Sequence, residues 1–548
     1  MFDDPDKEVN LPQGPNPGSL CDIALDETEV YDGLLKLDVN KGAGPDLIPN
    51  SFLRRYAFEL CVPLCKLFNK SLSDGIFPDE WKTSFVTPIF KAGSRVEVSN
   101  YRGVVLLSAI PKFFEKLVCN RIQNILAPLI STSQHGFEQG KSTCTNLVWF
   151  VDKLLNGMQN GGQVDAVYTD FAKAFDRVNH RILLRKLELS GIDGSLISWI
   201  ENYLIGRRQS VKLESVSSPS FTITSGVPQG SHLGPLLFSI FINDLCEQLD
   251  KDNSLLYADD VKIFRKVRDP SDCLKLQCEL NKINDWCQVN GMSLNIKKCE
   301  VISFKRYNSG VFVHDYFIGV DKVKRVNVVK DLGLLLDNRL TFKPHFSQII
   351  ARSKSALFFI KMLAKDFQCP YVTKTLYTSL VRPILEYCSV VWSPYLLEDT
   401  SRIESVQKQF LLFALRNFGW SHQFRLPPYL ARLGLLELDS LEERRRLATA
   451  CFTFRALRGL IRVPKIQWTF RFHIPSRNSR STITQRLVLP TLITTAYIDN
   501  SPLRRCVYEF NRYSGCYDTS ISLNTFKDRI RLKFKDERRV RLNNCNYN

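Results

Sequence analysis

The sequence contains no apolar run approaching the ~20 residues that a membrane-spanning helix requires. No transmembrane segment is therefore expected. A signal or transit peptide is not expected either, because the first ten residues, MFDDPDKEVN, are acidic and polar. The 16 cysteines form no CxxC pair and no zinc-finger or knuckle spacing, and Cys506, Cys516 and Cys545 near the C-terminus do not supply one. Scattered cysteines without such spacing point to reduced intracellular thiols within cores, not to metal ribbons or a disulfide framework. The GKST stretch after Gln139 is not a phosphate loop: that motif needs glycine five positions before Gly140, where the chain has His135. Nucleotide-hydrolase readings fall away with it.

What is present is a globular composition, 44% hydrophobic and 24% charged, long enough for roughly three or four domains. The formal charge of +18 favours a polyanionic partner, and without a membrane segment nucleic acid is the better candidate.

Residues 1–20 hold four prolines and little apolar content, as a tail or linker would. A short helix is expected over 26–37, ended by the Gly and Pro residues of NKGAGPDLIP, and a longer one over about 50–73 on the spacing of Leu60, Leu64, Leu67 and Phe68. TSFVTPIFK reads as a strand closing on Lys91, and SNYRGVVLLS carries Arg102 into a second strand. Two cations at the facing ends of a hairpin suit a triphosphate, which Arg binds bidentately and Lys as a point charge. Ordinary exposed Lys and Arg on a surface hairpin is the commoner arrangement. An amphipathic helix is expected over 111–127, and QHGFEQGKST forms a loop capping a further helix that runs to about Met158.

The strand through Ala166 and Tyr168 ends on Asp170, with helical residues expected from Lys173 to Leu187. A lone Asp at a strand end is often a helix cap or a surface acid. A β-hairpin over 209–225 leads to GVPQGSHLGPLLFSIFINDL, whose Gly226, Pro228 and Gly230 define a rigid loop before an apolar helix. Glycine there permits close backbone approach by a ligand, although turn chemistry alone accounts for it.

LLYADDVKIF, residues 255–264, reads as a hairpin with Asp259 and Asp260 at its tip. Adjacent carboxylates between hydrophobic strands repel one another unless a cation sits between them. A divalent metal such as Mg²⁺ removes the conflict and needs only one or two protein carboxylates. A solvated turn is the competing account. Beyond it a helix through Leu276, Leu280, Ile283 and Trp286 stops at Asn290–Gly291. A strand is expected over 293–304 with Lys298 near its start, and strand and turn character over 330–342. Helical pattern fills about 346–418, with Arg352, Lys354 and Lys361 exposed, and again 430–457; no chemistry is legible beyond residue 420.

Taken in order, GPDLIP, WKTSFVTPIFK, NYRGVVLLS, QHGFEQGKST, YTDFAKAFDRV, GVPQGSHLGPLLF, YADD, SLNIKKC and KDLGLLLD resemble the reverse transcriptases of non-LTR (LINE-type) retrotransposons, most closely the jockey-like kind. The resemblance covers about residues 28–420. It implies an α+β right-hand polymerase with an antiparallel palm sheet, followed by a mainly helical C-terminal region. The corresponding division is a tail over 1–27, fingers and palm over 28–342, a helical thumb over 343–420 and a basic region of unknown role over 421–548. It further implies that Asp170, Asp259 and Asp260 bind two Mg²⁺ ions, with Mn²⁺ as a substitute. Lys298 would protonate the leaving pyrophosphate. Lys91 and Arg102 would hold the triphosphate, and Phe175 would exclude a ribose 2′-hydroxyl. Gln229 and Gly230 would contact nucleotide and template, and Tyr257 would sit near the primer end.

The implied reaction is RNA-directed DNA synthesis from a DNA primer 3′-OH, with an RNA template, a DNA target and deoxynucleoside triphosphates as partners and no membrane. The implied location is intracellular, nuclear at the point of action. Two departures stand out: Gly103 where many relatives have Pro, and His232 where they have a small apolar residue. Relatives usually carry an endonuclease upstream, so a truncated or fragmentary product that polymerises without nicking its own target is expected. The alternatives are a catalytically decayed nucleic-acid-binding protein that keeps the fold, and an RNA-templated RNA polymerase, which would not want a bulky Phe175.

Overall fold

The computed structural model describes residues 20–91, 93–306, 310–364, 369–417, 427–473, 486–488, 496–518 and 520–545. The proline-rich first 19 residues lie outside them.

At the centre is a five-stranded sheet. The strand Gln163–Thr169 lies between Asp260–Val267 and Glu300–Phe304, antiparallel to both, and Ser254–Tyr257 extends the sheet beyond Asp260–Val267. The two-residue edge strand Lys324–Arg325 runs parallel to Glu300–Phe304, so the expected all-antiparallel sheet has one parallel edge. Alternate residues of a strand face opposite sides, and here both sides are dry. Val167, Val261, Ile263 and Val301 enter one core, whereas Val164, Ala166, Phe264, Ile302 and Phe304 enter another. Burying each Val, Ile or Phe side chain among these stabilises the fold by about 1.5–3 kcal/mol. That two-sided burial fixes the register, because a one-residue slip would turn Lys262 and Phe264 onto the wrong faces.

The first core packs the helices Ala57–Asp74, Ala109–Leu126 and Gly194–Leu204 around Phe68, Phe114 and Trp199. The second joins the helix Thr143–Gly157 to the helices between Lys343 and Asn417 and to residues beyond 427. Packing therefore runs straight across position 420. Arg505 donates to the Val390 and Val391 carbonyls at 2.7 and 2.8 Å, and Lys465 pairs with Asp252 at 2.7 Å. A separate sheet pairs Thr83–Phe90 antiparallel with Tyr101–Leu106 and parallel with Arg208–Leu213.

Several expected elements are cut by local chemistry. The helix expected over 50–73 is two, Asn50–Arg55 and Ala57–Asp74, broken at Tyr56. The helix expected from Lys173 starts only at His180: Lys173 sits at φ +54°, a turn follows over Ala174–Asp176, and the Asn179 side chain caps the new helix by accepting the Ile182 N–H at 3.1 Å. The strand expected over 293–304 begins at Glu300, after a 3-10 turn over Ile296–Lys298. The 430–457 stretch splits at Glu437, φ +49°, into Tyr429–Leu435 and Leu441–Leu457. The cysteines from Cys21 to Cys516 carry free thiols, but Cys21, Cys278 and Cys369 are exposed rather than in cores. Among the described residues no helix is long and apolar enough to cross a membrane.

One buried acid lies beneath the loop at 226–234. Glu115 on Ala109–Leu126 is fully buried, and its Oε2 accepts the His232 N–H at 3.2 Å. Burial pushes its carboxyl up to about 7, against the pull of the Arg207 guanidinium and the His232 N–H. The folded chain thus holds a proton that the unfolded chain releases near 4.5. Stability from this group is complete below that pH and is lost as pH rises through about 7. Relative to Glu115→Gln, the wild-type chain should lose up to about 3 kcal/mol of unfolding free energy across that window, read by urea denaturation at a series of pH values. A pH-independent difference between the two proteins would exclude this account.

Candidate active site

Ser254–Tyr257 and Asp260–Val267 are joined by a two-residue turn, with Tyr257 opposite Asp260. Ala258, the first turn residue, has φ +57°, a left-handed value unusual for a residue with a Cβ. The turn places Asp259 half-buried and Asp260 at the solvent side. Across the sheet Thr169 pairs with Val261, which sets Asp170 opposite Asp260. Asp170 is itself fixed from the far side: its carbonyl accepts the Asn295 N–H at 2.7 Å, and Ala172 donates to the Ser293 carbonyl at 2.8 Å. The same pairing delivers Lys298, whose Nζ lies 3.0 Å from Asp170 Oδ2.

The carboxylates act on one another. Partial burial pushes the Asp259 carboxyl up, with Asp170 adding to the rise, while Arg102 and Lys298 draw it down. Asp260 reaches solvent at its edge, yet the protein crowded around its carboxyl and then the charges of Asp259, Asp170 and Asp331 push it up to about 6. Like charges held together in this way want a cation. Among the described residues no group of three His, Cys, Asp or Glu side chains stands close enough together to hold a metal ion in common. The donor set is nonetheless of the right kind for Mg²⁺, which accepts one or two carboxylates and completes its shell with water and phosphate oxygens. Lys298 partly neutralises Asp170 meanwhile.

A second group of predicted residues gathers around Asp176. Gly226, φ +91°, lies so close that a Cβ would meet the Asp176 Cα and the Phe175 carbonyl at 2.8 Å. Val227 donates to that carbonyl at 2.8 Å. Gln229 Nε2 donates to Asp176 Oδ1 at 2.9 Å, and the Gln229 carbonyl accepts the Val105 N–H at 3.0 Å, beside Gly230 at φ +121°. The 226–234 loop is thereby stitched between residues 175–176 and the strand Tyr101–Leu106. Phe175, half-buried, stacks on Phe238 with ring centroids 4.5 Å apart. The charge of Lys91 reaches Asp176 and that of Arg102 reaches Asp259, each as a minor pull on the carboxyl. Tyr257 is half-buried beside Asp260 and Cys388.

Sequence reasoning missed the floor of the cleft. Lys262 Nζ pairs with Asp331 Oδ2 at 2.6 Å, both side chains 5% exposed, and the Tyr168 hydroxyl donates to the same oxygen at 3.2 Å. Lys262 also sits 4.3 Å above the Phe150 ring. The signal was available: Asp260, Lys262 and Phe264 share one strand face, and Phe264 is a core residue, so Lys262 had to be buried with a partner. Asp176 carried no such pattern.

Residues 89–334 match the family described as "Reverse transcriptase (RNA-dependent DNA polymerase)". The chain is 27% identical over 394 residues to the "Probable RNA-directed DNA polymerase from transposon X-element" of Drosophila melanogaster, covering 70% of this chain and 43% of that protein. It is 28% identical over 415 residues to the "RNA-directed DNA polymerase from mobile element jockey" of the same organism, covering 73% and 45% respectively. With the jockey protein of Drosophila funebris the identity is 31% over 339 residues, covering 59% and 36%. The chain spans less than half the length of these relatives.

Replacing Lys262 by Met leaves Asp331 buried without a counter-charge and should cost about 3–5 kcal/mol of stability. Adding Asp331→Asn to that variant should restore much of the loss, since no buried charge remains. Guanidinium unfolding of the three proteins tests the pair; a single variant within about 1 kcal/mol of wild type would show that the pair lies open to water.

Proposed function

We propose, from the match of residues 89–334 to the reverse transcriptase family and the similarity to the X-element and jockey polymerases, that this chain is a jockey-like non-LTR RNA-directed DNA polymerase. It would extend a DNA primer 3′-OH on an RNA template with deoxynucleoside triphosphates. The observation that carries the reading is the convergence of Asp170, Asp259 and Asp260, with Asp260 pushed up to about 6 by the protein crowded around its carboxyl and by its neighbours' charge. In this reading the central sheet is the palm of a right-hand polymerase, the Thr83–Phe90 sheet belongs to the fingers, and the helices from Lys343 to Asn417 form the thumb.

Asp170, Asp259 and Asp260 would hold two Mg²⁺ ions. When bound, Mg²⁺ neutralises triphosphate charge and acidifies the primer hydroxyl. Arg102, whose charge reaches Asp259, would hold the triphosphate near the carboxylates. Lys91 would extend that hold from the side of Asp176. Lys298, already 3.0 Å from Asp170 and largely exposed, is placed to give a proton to the departing pyrophosphate once Asp170 is otherwise engaged. Gln229, tied to Asp176 and Val105, presents a fixed edge to nucleotide and template. Phe175 cannot swing aside while stacked on Phe238 and would bar a ribose 2′-hydroxyl. Tyr257 would abut the primer end. A chromosomal target would place the working protein in the nucleus, which imaging of a tagged chain tests.

Purified protein should extend a DNA primer on RNA in the presence of Mg²⁺. Asp259→Ala should lose extension entirely while RNA binding persists, because the basic surface is untouched. Undiminished extension by that variant would sink the assignment. Phe175→Ala should raise ribonucleotide use relative to deoxynucleotide by about tenfold or more, the scale of one steric contact. An unchanged ratio would remove Phe175 from the gate.

A further inference from the structure

The QHGFEQGKST loop has no role in the site as described so far, yet it runs against the turn that carries Asp259 and Asp260. Leu256 donates to the Ser133 carbonyl at 3.0 Å and accepts the His135 N–H at 2.9 Å, so the loop forms a short parallel bridge along the edge of the hairpin. From that bridge the Gln134 side chain, 1% exposed, reaches the turn itself. Its Oε1 accepts the N–H of Ala258 at 3.0 Å and the N–H of Gly136 at 2.7 Å, and its Nε2 faces the Ala258 carbonyl at 3.4 Å. One carboxamide thus meets both backbone polar groups of the residue at φ +57°.

The rest of the loop stiffens this grip. Lys141 Nζ donates to the carbonyls of Ser131, Thr132 and Gln134 at 3.2, 3.3 and 2.7 Å, closing the loop on itself. The His135 ring meets Thr145 Oγ1 at 2.9 Å, and Asn146 Nδ2 donates to the Leu256 carbonyl at 3.1 Å. At Gly136 the two backbones nearly touch: a Cβ there would lie 2.3 Å from the Ala258 nitrogen. Only glycine lets the loop come this close.

We infer that Gln134 is a positioning residue for polymerisation, holding Ala258 in its left-handed conformation and thereby setting where Asp259 and Asp260 stand relative to Asp170. The chemistry selects glutamine. Glutamate could accept both N–H groups, but it has no donor for the Ala258 carbonyl and would add a fourth negative charge to three converging carboxylates. Asparagine is one methylene short. An apolar side chain of equal size fills the space and leaves the buried Ala258 and Gly136 amides without an acceptor, so the turn is free to relax toward negative φ. That relaxation swings the two aspartates together, since both follow Ala258 directly.

The inference rests on the polymerase reading, and its test separates the two. Gln134→Met in the full chain should lower kcat for primer extension about tenfold to a hundredfold, the scale of an ångström-level misplacement. The Mg²⁺ requirement should rise, with nucleotide KM and RNA binding within about twofold of wild type, because no substrate-contacting group has changed. Hydrogen exchange of a peptide spanning residues 255–262 should quicken in the variant while the peptide from the strand Glu300–Phe304 exchanges as in wild type. Ala258→Gly added to Gln134→Met should recover part of kcat, because glycine takes positive φ without side-chain strain. Wild-type kcat together with wild-type exchange in Gln134→Met would overturn the inference, as would a loss that Ala258→Gly leaves unrepaired. Should the wild-type chain itself fail to extend any primer, the polymerase reading falls, and the exchange comparison alone then decides whether Gln134 holds the turn.

Discussion

Carboxylates brought together without a counter-charge repel, and folding has to supply the energy that keeps them close. Here that work falls to the central strand Gln163–Thr169, which is buried on both faces and locked between two antiparallel neighbours. Because Thr169 must pair with Val261, Asp170 cannot retreat from Asp260, and because Tyr257 must pair with Asp260, the turn has only two residues in which to place Asp259. The acids are held together by hydrophobic register, with the Lys298–Asp170 ion pair offsetting part of their repulsion.

Every other part of the site is attached to that register by a few backbone contacts. The 293–298 segment reaches Asp170 through its carbonyl and brings Lys298 with it. The 226–234 loop reaches the same neighbourhood through residues 175 and 176, where the absence of a side chain at Gly226 is what permits contact. Beneath them Lys262 and Asp331 join the sheet to the strand Val328–Asp331, a buried charge pair whose desolvation is tolerated because Tyr168 and Phe150 complete its surroundings. The second core then ties the sheet to residues on both sides of position 420, so the basic C-terminal segment is part of the same packed body as the strand that carries Asp170.

Much of this was legible in the residues. The strands ending on Asp170 and flanking the Asp pair are legible within a few positions, because burial on a sheet face leaves a pattern in the chain, whereas the strand expected from residue 293 begins seven positions later, at Glu300. The Asp pair, Asp170 and the glycines of the 226–234 loop were found because carboxylates and glycines are rare inside such runs and signal a chemical or steric need. What was misread were the breaks: Tyr56, Lys173 and Glu437 interrupt helices although their side chains carry no strong breaking signal, and the edge strand Lys324–Arg325 is too short to leave a pattern. The Asp176–Gln229 contact spans 53 positions and the Gln134–Ala258 contact 124, and neither polar partner differs in type from an ordinary surface residue.

The sequence by itself determined the chemistry available to this protein: three aspartates, cations that suit phosphate, a net positive charge and the order of motifs that resembles one family of polymerases. These follow from residue identity and short-range spacing, which a chain carries whether or not it is folded. Only the tertiary structure decided that Lys298 stands beside Asp170, that Lys262 is buried, and that a glutamine more than a hundred residues away grips the turn between the strands. Those are outcomes of packing, in which a side chain's role is set by what the rest of the chain brings against it.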